Sequence, residues 1–413
     1  MKALALLHAS QLVTLAGPER PRVGGELSEL SIIRDGGMLI RHSKIDIVGS
    51  SDEIAKKAHG AEIVDLGGRV VLPGFVDAHT HLVFAGDRLD DFERRSRGES
   101  YEQIAAAGGG IWSTVEKTRS ASETELFAEA EKHAKWFLRG GTTTVEAKSG
   151  YGLTVDDEIK MLRVMQRLNN ETPLEVVPTF LGAHATPRYM FPDEYVDFVL
   201  KEMLPRIVAE ELAEFCDVFC ERDYFDLAQS RRVLTAAKEA GLKLRGHVDQ
   251  LSNMRGAELM AELGAVTADH LEKTDEQGIA ALNAANVQPV LLPGSVYALG
   301  STIYPRARDM IDTGLAVVLA TDFNPGSSPT TSMAMVISLA CTQMKMSPAE
   351  AITAATINAA YSLGRGEQVG SLEAGKLANI AVFECDDYRE IAYWFGIAQT
   401  SSVFVRGRRV FGA

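Results

Sequence analysis

Two histidines, His79 and His81, stand two apart in the stretch Asp77-Ala78-His79-Thr80-His81. If this stretch ends a β-strand, both imidazoles point the same way, because strand side chains alternate with period two. His247, His270 and Asp322 each close a further apolar run that reads as a strand. Three imidazoles and an aspartate drawn from opposite sides of one barrel mouth would form a ligand set that suits zinc or iron. Such a set leaves a coordination position for water. A His-x-His pair alone is a weak sign. Four of the nine histidines at strand ends, with an aspartate at the last end, is a far more specific pattern.

The elements that must carry these residues alternate. Strand candidates run over 70–78, 142–147, 174–181, 214–220, 242–247, 266–271, 287–292 and 315–322. Amphipathic stretches between them, such as 122–138 and 156–168, read as helices. Eight such units over about 300 residues match a (β/α)8 TIM barrel, an α/β fold whose working residues lie at the C-terminal strand ends. An open doubly wound sheet is the runner-up, but no Gly-rich nucleotide loop follows the first strand. Both chain ends read as short β segments, too short to bury a core alone. The expected organisation is a small β-sandwich domain from 1–65 plus 367–413 around a barrel at 66–366.

Composition narrows the function. The 413 residues are 46% hydrophobic and 24% charged, ample for a large core and unlike a disordered chain. With 42 Lys plus Arg against 56 Asp plus Glu, the net charge of −14 disfavours nucleic acid and anionic membranes as partners. Cys216, Cys220, Cys341 and Cys385 do not make a disulfide ladder, and Cys216 and Cys220 read as free core thiols. The apolar start is interrupted by His8, Ser10 and Gln11, and reads as a strand rather than a signal peptide. A cytoplasmic location is the expectation. His8, His42, His59 and His133 lie away from strand ends and read as exposed or structural.

Longer stretches are recognisable. GGRVVLPGFVDAHTHLVFAG resembles the first-strand signature of the amidohydrolase superfamily. NAAYSLGRGEQVGSLEAGKLANIAVFE resembles the stretch that returns such chains to their small β domain. TVEAKSGYGL (144–153), TFLGAHATP (179–187) and ATDFNPGSSPT (320–330) resemble one branch of that superfamily, which opens an imidazolone ring in histidine degradation. The resemblance covers essentially the full chain.

It implies hydrolysis of 4-imidazolone-5-propanoate to N-formimidoyl-L-glutamate with one Zn2+ or Fe3+ ion held by His79, His81, His247 and Asp322. The metal would lower the pKa of a water from about 15.7 towards ~7. Asp322 would take the water's proton and pass it to the departing nitrogen, and His270 would stabilise the oxyanion. The substrate's carboxylate calls for a cation, and Arg88 fits it. By resemblance Tyr151 and His184 join it at the substrate, Asn324, Gly326 and Ser327 contact the ring or product, and Tyr101 is a weaker candidate. Gln250 stands where related deaminases place Glu; it would orient the ring, since an amide cannot carry the proton. That residue argues against a deaminase, the competing hydrolase reading, and a non-catalytic barrel would have lost a ligand. The end of strand four, Phe219-Cys220-Glu221, lacks the Lys that bridges two metals in binuclear relatives; Lys148 reads as a structural or electrostatic contact. Homodimers are common among such barrels, but no residue pattern marks an interface.

Overall fold

A computed structural model describes residues 3–99, 103–104 and 108–412, so Tyr101 lies outside the described residues. Eight parallel strands follow one another in chain order: Phe75–Asp77, Thr142–Lys148, Glu175–Ala183, Phe215–Cys220, His247–Val248, Thr267–His270, Gln288–Leu291 and Val318–Leu319. These are strands one to eight of a TIM barrel. Strands one and eight meet just past their ends, at the bridge Thr80–Phe323. Asp322 N donates to His79 O (3.0 Å) and His81 N to Phe323 O (2.8 Å). The fully buried Asp77 adds to this seam by accepting from Thr321 N (3.0 Å) and Thr321 Oγ1 (2.6 Å). Burial pushes the Asp77 carboxyl up to about 7, against those hydrogen bonds.

Strand two is buried at every residue, as a parallel strand covered on both faces must be. The flanking helices carry the expected stripes. Glu123–Arg139 buries Leu126, Ala130, Ala134, Phe137 and Leu138 on one face. Ser122 caps it by accepting from Glu125 N, and the Glu125 carboxylate reaches back to the Ser122 N–H. Thr154 caps Val155–Glu171 and Asp226 caps Leu227–Glu239. Those two caps close the loops that leave strands two and four, so they also hold the barrel mouth in shape.

A second sheet of eight strands comes from both chain ends. Its order is Arg408–Phe411, Thr400–Val405, Ile380–Phe383, Val70–Pro73, Leu4–Val13, Ile32–Arg41 and Lys44–Ser50. Glu62–Asp65 pairs with Leu4–Val13 off this path. The sandwich expected of the termini is thus one continuous sheet that meets itself again where Lys44 bridges Leu377. It encloses Leu6, Leu12, Met38, Ile40, Ile380 and Phe404.

Three local readings differ from expectation. The run 70–78 is two strands, because the chain changes sheets at Gly74: Gly74 N donates to Asn379 O and Phe75 N to Gly141 O, both 2.9 Å. The strand expected over 242–247 is Lys243–Leu244 and then His247–Val248, broken where the buried Arg245 reaches Ala78 O at 2.7 Å. The N-terminal β stretch also contains a helix, Ser51–Lys57, with a capping box of Ser50 and Glu53. All four cysteines are free. Among the described residues no helix is long and apolar enough to cross a membrane.

A Cβ at Gly74 would lie 2.4 Å from Thr143 Oγ1. Gly74→Ala is therefore expected to destabilise the fold by about 1–3 kcal/mol, as overpacking does. Thermal melting checks this, and an unchanged midpoint would show that the crossing between the sheets relaxes freely.

Candidate metal centre and active site

His79 and His81 follow strand one, His247 opens strand five, and Asp322 lies on the turn after strand eight. All four are buried. His79 Nε2 and His81 Nε2 each lie 3.5 Å from Asp322 Oδ1, and His247 Nε2 lies 3.4 Å from His81 Nε2. The ligand atoms of His79, His81 and His247 fall within 4.8 Å of one another, and those of His79, His270 and Asp322 do likewise.

The protonation of these rings is set from behind. His79 Nδ1 lies 2.7 Å from Asp269 Oδ2, and His247 Nδ1 lies 3.0 Å from Asp217 Oδ1. Each Nδ1 is held by a carboxylate and each Nε2 faces the centre, the usual arrangement of a metal-ligating histidine. His79 Nε2 has no hydrogen-bond partner although it is buried. Burial, then Lys148, lowers the pKa of His79 far below an ordinary imidazole, and burial, then His184, does the same for His81. Buried imidazoles whose Nε2 atoms converge beside a carboxylate fit a metal ion.

Asp217 and Asp269 share a counter-ion. Lys148 Nζ, on strand two, lies 2.7 Å from Asp217, 2.9 Å from Glu146 and 3.8 Å from Asp269, and all four groups are fully buried. Arg245 Nη2 stands 3.5 Å from the same Asp269 oxygen. Burial works against the Lys148 charge, but Asp217 and Glu146 outweigh it and raise its pKa. Burial likewise opposes the Asp217 carboxylate, and His247 and Lys148 hold it well below the usual range.

His270 lies on the other side of Asp322, with φ of 81°, and Asp322 itself has φ of 54°. Both are non-glycine residues in the left-handed region, a strain that clusters at functional sites. Burial opposes charge on His270, yet Glu272, 3.5 Å from its Nδ1, raises its pKa above that of a free imidazole. Burial pushes the Asp322 carboxyl up, with His270 and His247 opposing.

These groups open into a cavity of about 300 Å³, also lined by Arg88, Tyr151, His184, Gln250, Asn324, Gly326 and Ser327. Every site residue expected from the sequence within the described chain therefore borders this cavity or the histidine cluster at its floor. Arg88 is aimed by Thr114, whose Oγ1 accepts from Nε at 2.8 Å. A Cβ on Gly326 would lie 2.3 Å from Arg88 Nη1, so glycine makes the space for the guanidinium. His184 stacks on His81 with ring centroids 5.1 Å apart and donates Nδ1–H to Gly150 O at 3.0 Å. Its pKa is lowered to about 3, by burial first, which leaves Nε2 as an acceptor. Tyr151 stands 5.3 Å from His184, ring to ring. Asn324 spends its amide on its own loop: Oδ1 accepts from Gly326 N (2.8 Å) and Ser327 N (2.7 Å), while Nδ2 donates to Asp322 O (2.6 Å).

Several contributors escaped the sequence reading. Phe219 and Tyr224 form an aromatic wall, 4.3 Å between centroids, where strand four ends without a lysine. Glu221 accepts from Leu251 N (2.7 Å) and Ser252 N (3.2 Å) and so fixes the loop bearing Gln250. Thr114, Asp217 and Asp269 had no motif to mark them. His133 is buried against Phe84 and Leu82 O, as a structural histidine.

The amidohydrolase family profile matches residues 70–410. Curated relatives named imidazolonepropionase include one from Solibacter usitatus, 58% identical over 100% of this chain and 99% of its own. Another, from Brevibacillus brevis, is 46% identical over 98% of this chain and 97% of its own. A crystal structure of a triazine hydrolase variant shares the fold with a TM-score of 0.73 at 16% identity, over 99% of this chain and 95% of that one. The chain belongs to the amidohydrolase family and, within it, to the imidazolonepropionases.

The candidate ligand groups among the described residues share His79 and so predict a single ion. Metal-stripped protein is expected to take up one equivalent of Zn2+ per chain, with a melting temperature that climbs as free Zn2+ rises above the dissociation constant. His247→Ala should lose that climb. Uptake of two tight equivalents would mean that a second ligand set exists.

Proposed function

We propose that the chain hydrolyses 4-imidazolone-5-propanoate to N-formimidoyl-L-glutamate, a ring-opening step of histidine degradation. The observation that carries this reading is one cavity lined both by His81, His247, His270 and Asp322 and by Arg88, Tyr151 and His184. The first group suits cleavage of an amide by water, and the second suits a small ring with an acidic tail. Membership of the imidazolonepropionases supports the same substrate.

His79, His81, His247 and Asp322 would hold the ion, Zn2+ or Fe3+, since imidazole and carboxylate accommodate either. A bound ion supplies Lewis acidity, making water acidic enough to ionise near neutral pH. The Asp322 carboxylate accepts a proton from the attacking water as its oxygen bonds to the ring carbonyl carbon. The former carbonyl oxygen gains charge, and the cationic His270 donates a hydrogen bond to it. As the C–N bond breaks, Asp322 returns the proton to the departing nitrogen. Arg88 grips the propanoate carboxylate, the neutral His184 accepts from a ring N–H, and Tyr151 closes that side. Gln250 orients the ring through its amide, and the Asn324–Ser327 loop presents main-chain and hydroxyl groups to ring and product. The proposal extends to a cytoplasmic homodimer.

Freshly generated imidazolonepropanoate, followed by mass spectrometry with and without chelator, tests the reading. Metal-dependent formimidoylglutamate without ammonia is expected. Ammonia release would indicate a deaminase instead. Asp322→Asn is expected to bind substrate but lose about 10²- to 10⁴-fold in kcat, the usual range for a general acid–base group; retained turnover in a metal-loaded variant would remove Asp322 from the proton role.

Arg88→Met and Gly326→Ala should both raise KM for the carboxylate substrate, the first by removing the guanidinium and the second by displacing it. Bound metal should be unchanged in both. An unaltered KM in Arg88→Met would locate the carboxylate elsewhere.

A further inference from the structure

We propose that Lys148 is a positioning residue for the metal centre, acting through Asp217 and Asp269 on the ligands His247 and His79. This inference rests on the reading of those histidines as metal ligands and goes beyond it to the residue that sets their orientation.

The geometry is a fork. One ammonium group, fully buried on strand two, faces Asp217 Oδ2 at 2.7 Å and Asp269 Oδ2 at 3.8 Å. Asp217 turns its other oxygen to His247 Nδ1, and Asp269 uses the same oxygen for His79 Nδ1. Strands two, four and six are thereby tied together directly behind ligands from strands one and five. Glu146 at 2.9 Å anchors the ammonium from its own strand, and the Glu146 carboxylate also accepts from Thr80 N, the residue between the two first-strand histidines. Lys148 thus touches the surroundings of His79, His81 and His247 without contributing a ligand.

Without the ammonium, Glu146, Asp217 and Asp269 would face one another with Arg245 as the remaining buried cation near them. Like charges at such separations repel strongly in a buried site. The carboxylates would turn apart, and the rings they hold would turn with them. Loss of an outer partner of a metal-ligating histidine typically costs 10- to 100-fold in metal affinity. A lysine that merely filled the barrel would behave differently. Removing it would lower the stability of the metal-free protein, as loss of one partner of a buried ion pair does, while the metal affinity of the folded variant would stay constant.

The test measures Zn2+ affinity by competition with a chromophoric chelator, alongside melting of the metal-free protein. Lys148→Met is expected to bind Zn2+ about 10- to 100-fold more weakly than the unaltered chain. Affinity within threefold of the unaltered chain, in a folded variant, overturns the inference. If Lys148→Met does not fold, Asp269→Asn preserves the side chain's size and removes one arm of the fork. It is expected to lose at least about tenfold in affinity, and an unchanged affinity likewise overturns the inference. Failure of the unaltered chain to bind Zn2+ would instead sink the ligand assignment itself, so the two failures are told apart.

Discussion

The seam between the first and last barrel strands is the constraint from which the site follows. A parallel barrel closes only where its first and last strands meet. Here they meet through Asp322 N to His79 O and His81 N to Phe323 O. Those two hydrogen bonds alternate with the side chains that form the centre, so the closure of the fold and the assembly of the ligands are one event. Asp77, locked to Thr321 by two hydrogen bonds, holds the register one layer below. A slip of one residue along either strand would turn the imidazoles away from the carboxylate. Register at this seam therefore matters more than the length of strand eight, whose paired part is only Val318–Leu319.

Beneath the seam lies a layer of buried charge: Lys148 and Arg245 against Glu146, Asp217 and Asp269. Its contribution to stability is small at best, since desolvating each charge costs several kcal/mol and mutual attraction recovers about as much. Losing one partner is another matter, at about 3–5 kcal/mol. Such a layer is hard to change piecemeal, and what it delivers is direction. It fixes which ring nitrogen of His79 and of His247 faces a carboxylate and which faces the centre, while apolar filling of the same space would leave the rings unanchored. Polarity at this depth makes the barrel floor suited to a cation.

How far the sequence discloses this depends on the range of the interaction. His79 and His81 are legible because strand periodicity is local, and His247, His270 and Asp322 because each ends an apolar run. Asp217 and Asp269 are not: each is one acidic residue inside a buried strand, and its meaning appears only when the barrel brings it behind a histidine. Thr114 reaches Arg88 from the helix Ile111–Ser120, a contact no spacing rule contains. Tyr151 and His184 were legible through family resemblance alone. The break at Gly74 was hidden because both halves of 70–78 are equally apolar, and hydrophobicity does not say which sheet a strand joins. The helix Ser51–Lys57 did carry its capping box, but the surrounding β pattern outweighed it.

Backbone strain falls on the two groups proposed for proton and oxyanion chemistry, His270 and Asp322. His79, Asp217 and Lys148 sit on or beside regular strand with negative φ, where neighbouring strands fix them. His270, the last residue of strand six, has φ of 81°, while Asp249 just past strand five and Asp322 past strand eight have φ of 52° and 54°. A left-handed residue there turns the chain sharply, so that the side chain faces the mouth instead of continuing the alternation. The conformation costs on the order of 1–3 kcal/mol per residue, and it persists because the loops are over-determined. Asp249 accepts from Gly256 N, Ala257 N and Thr274 Oγ1, and Asn324 ties Asp322 O to Ser327. The barrel strands thus supply a rigid floor, and strained, heavily hydrogen-bonded segments bring His270 and Asp322, the groups proposed to handle protons, above it. A chain that relaxed those turns would keep its fold and its ligand histidines while losing the alignment of His270 with Asp322.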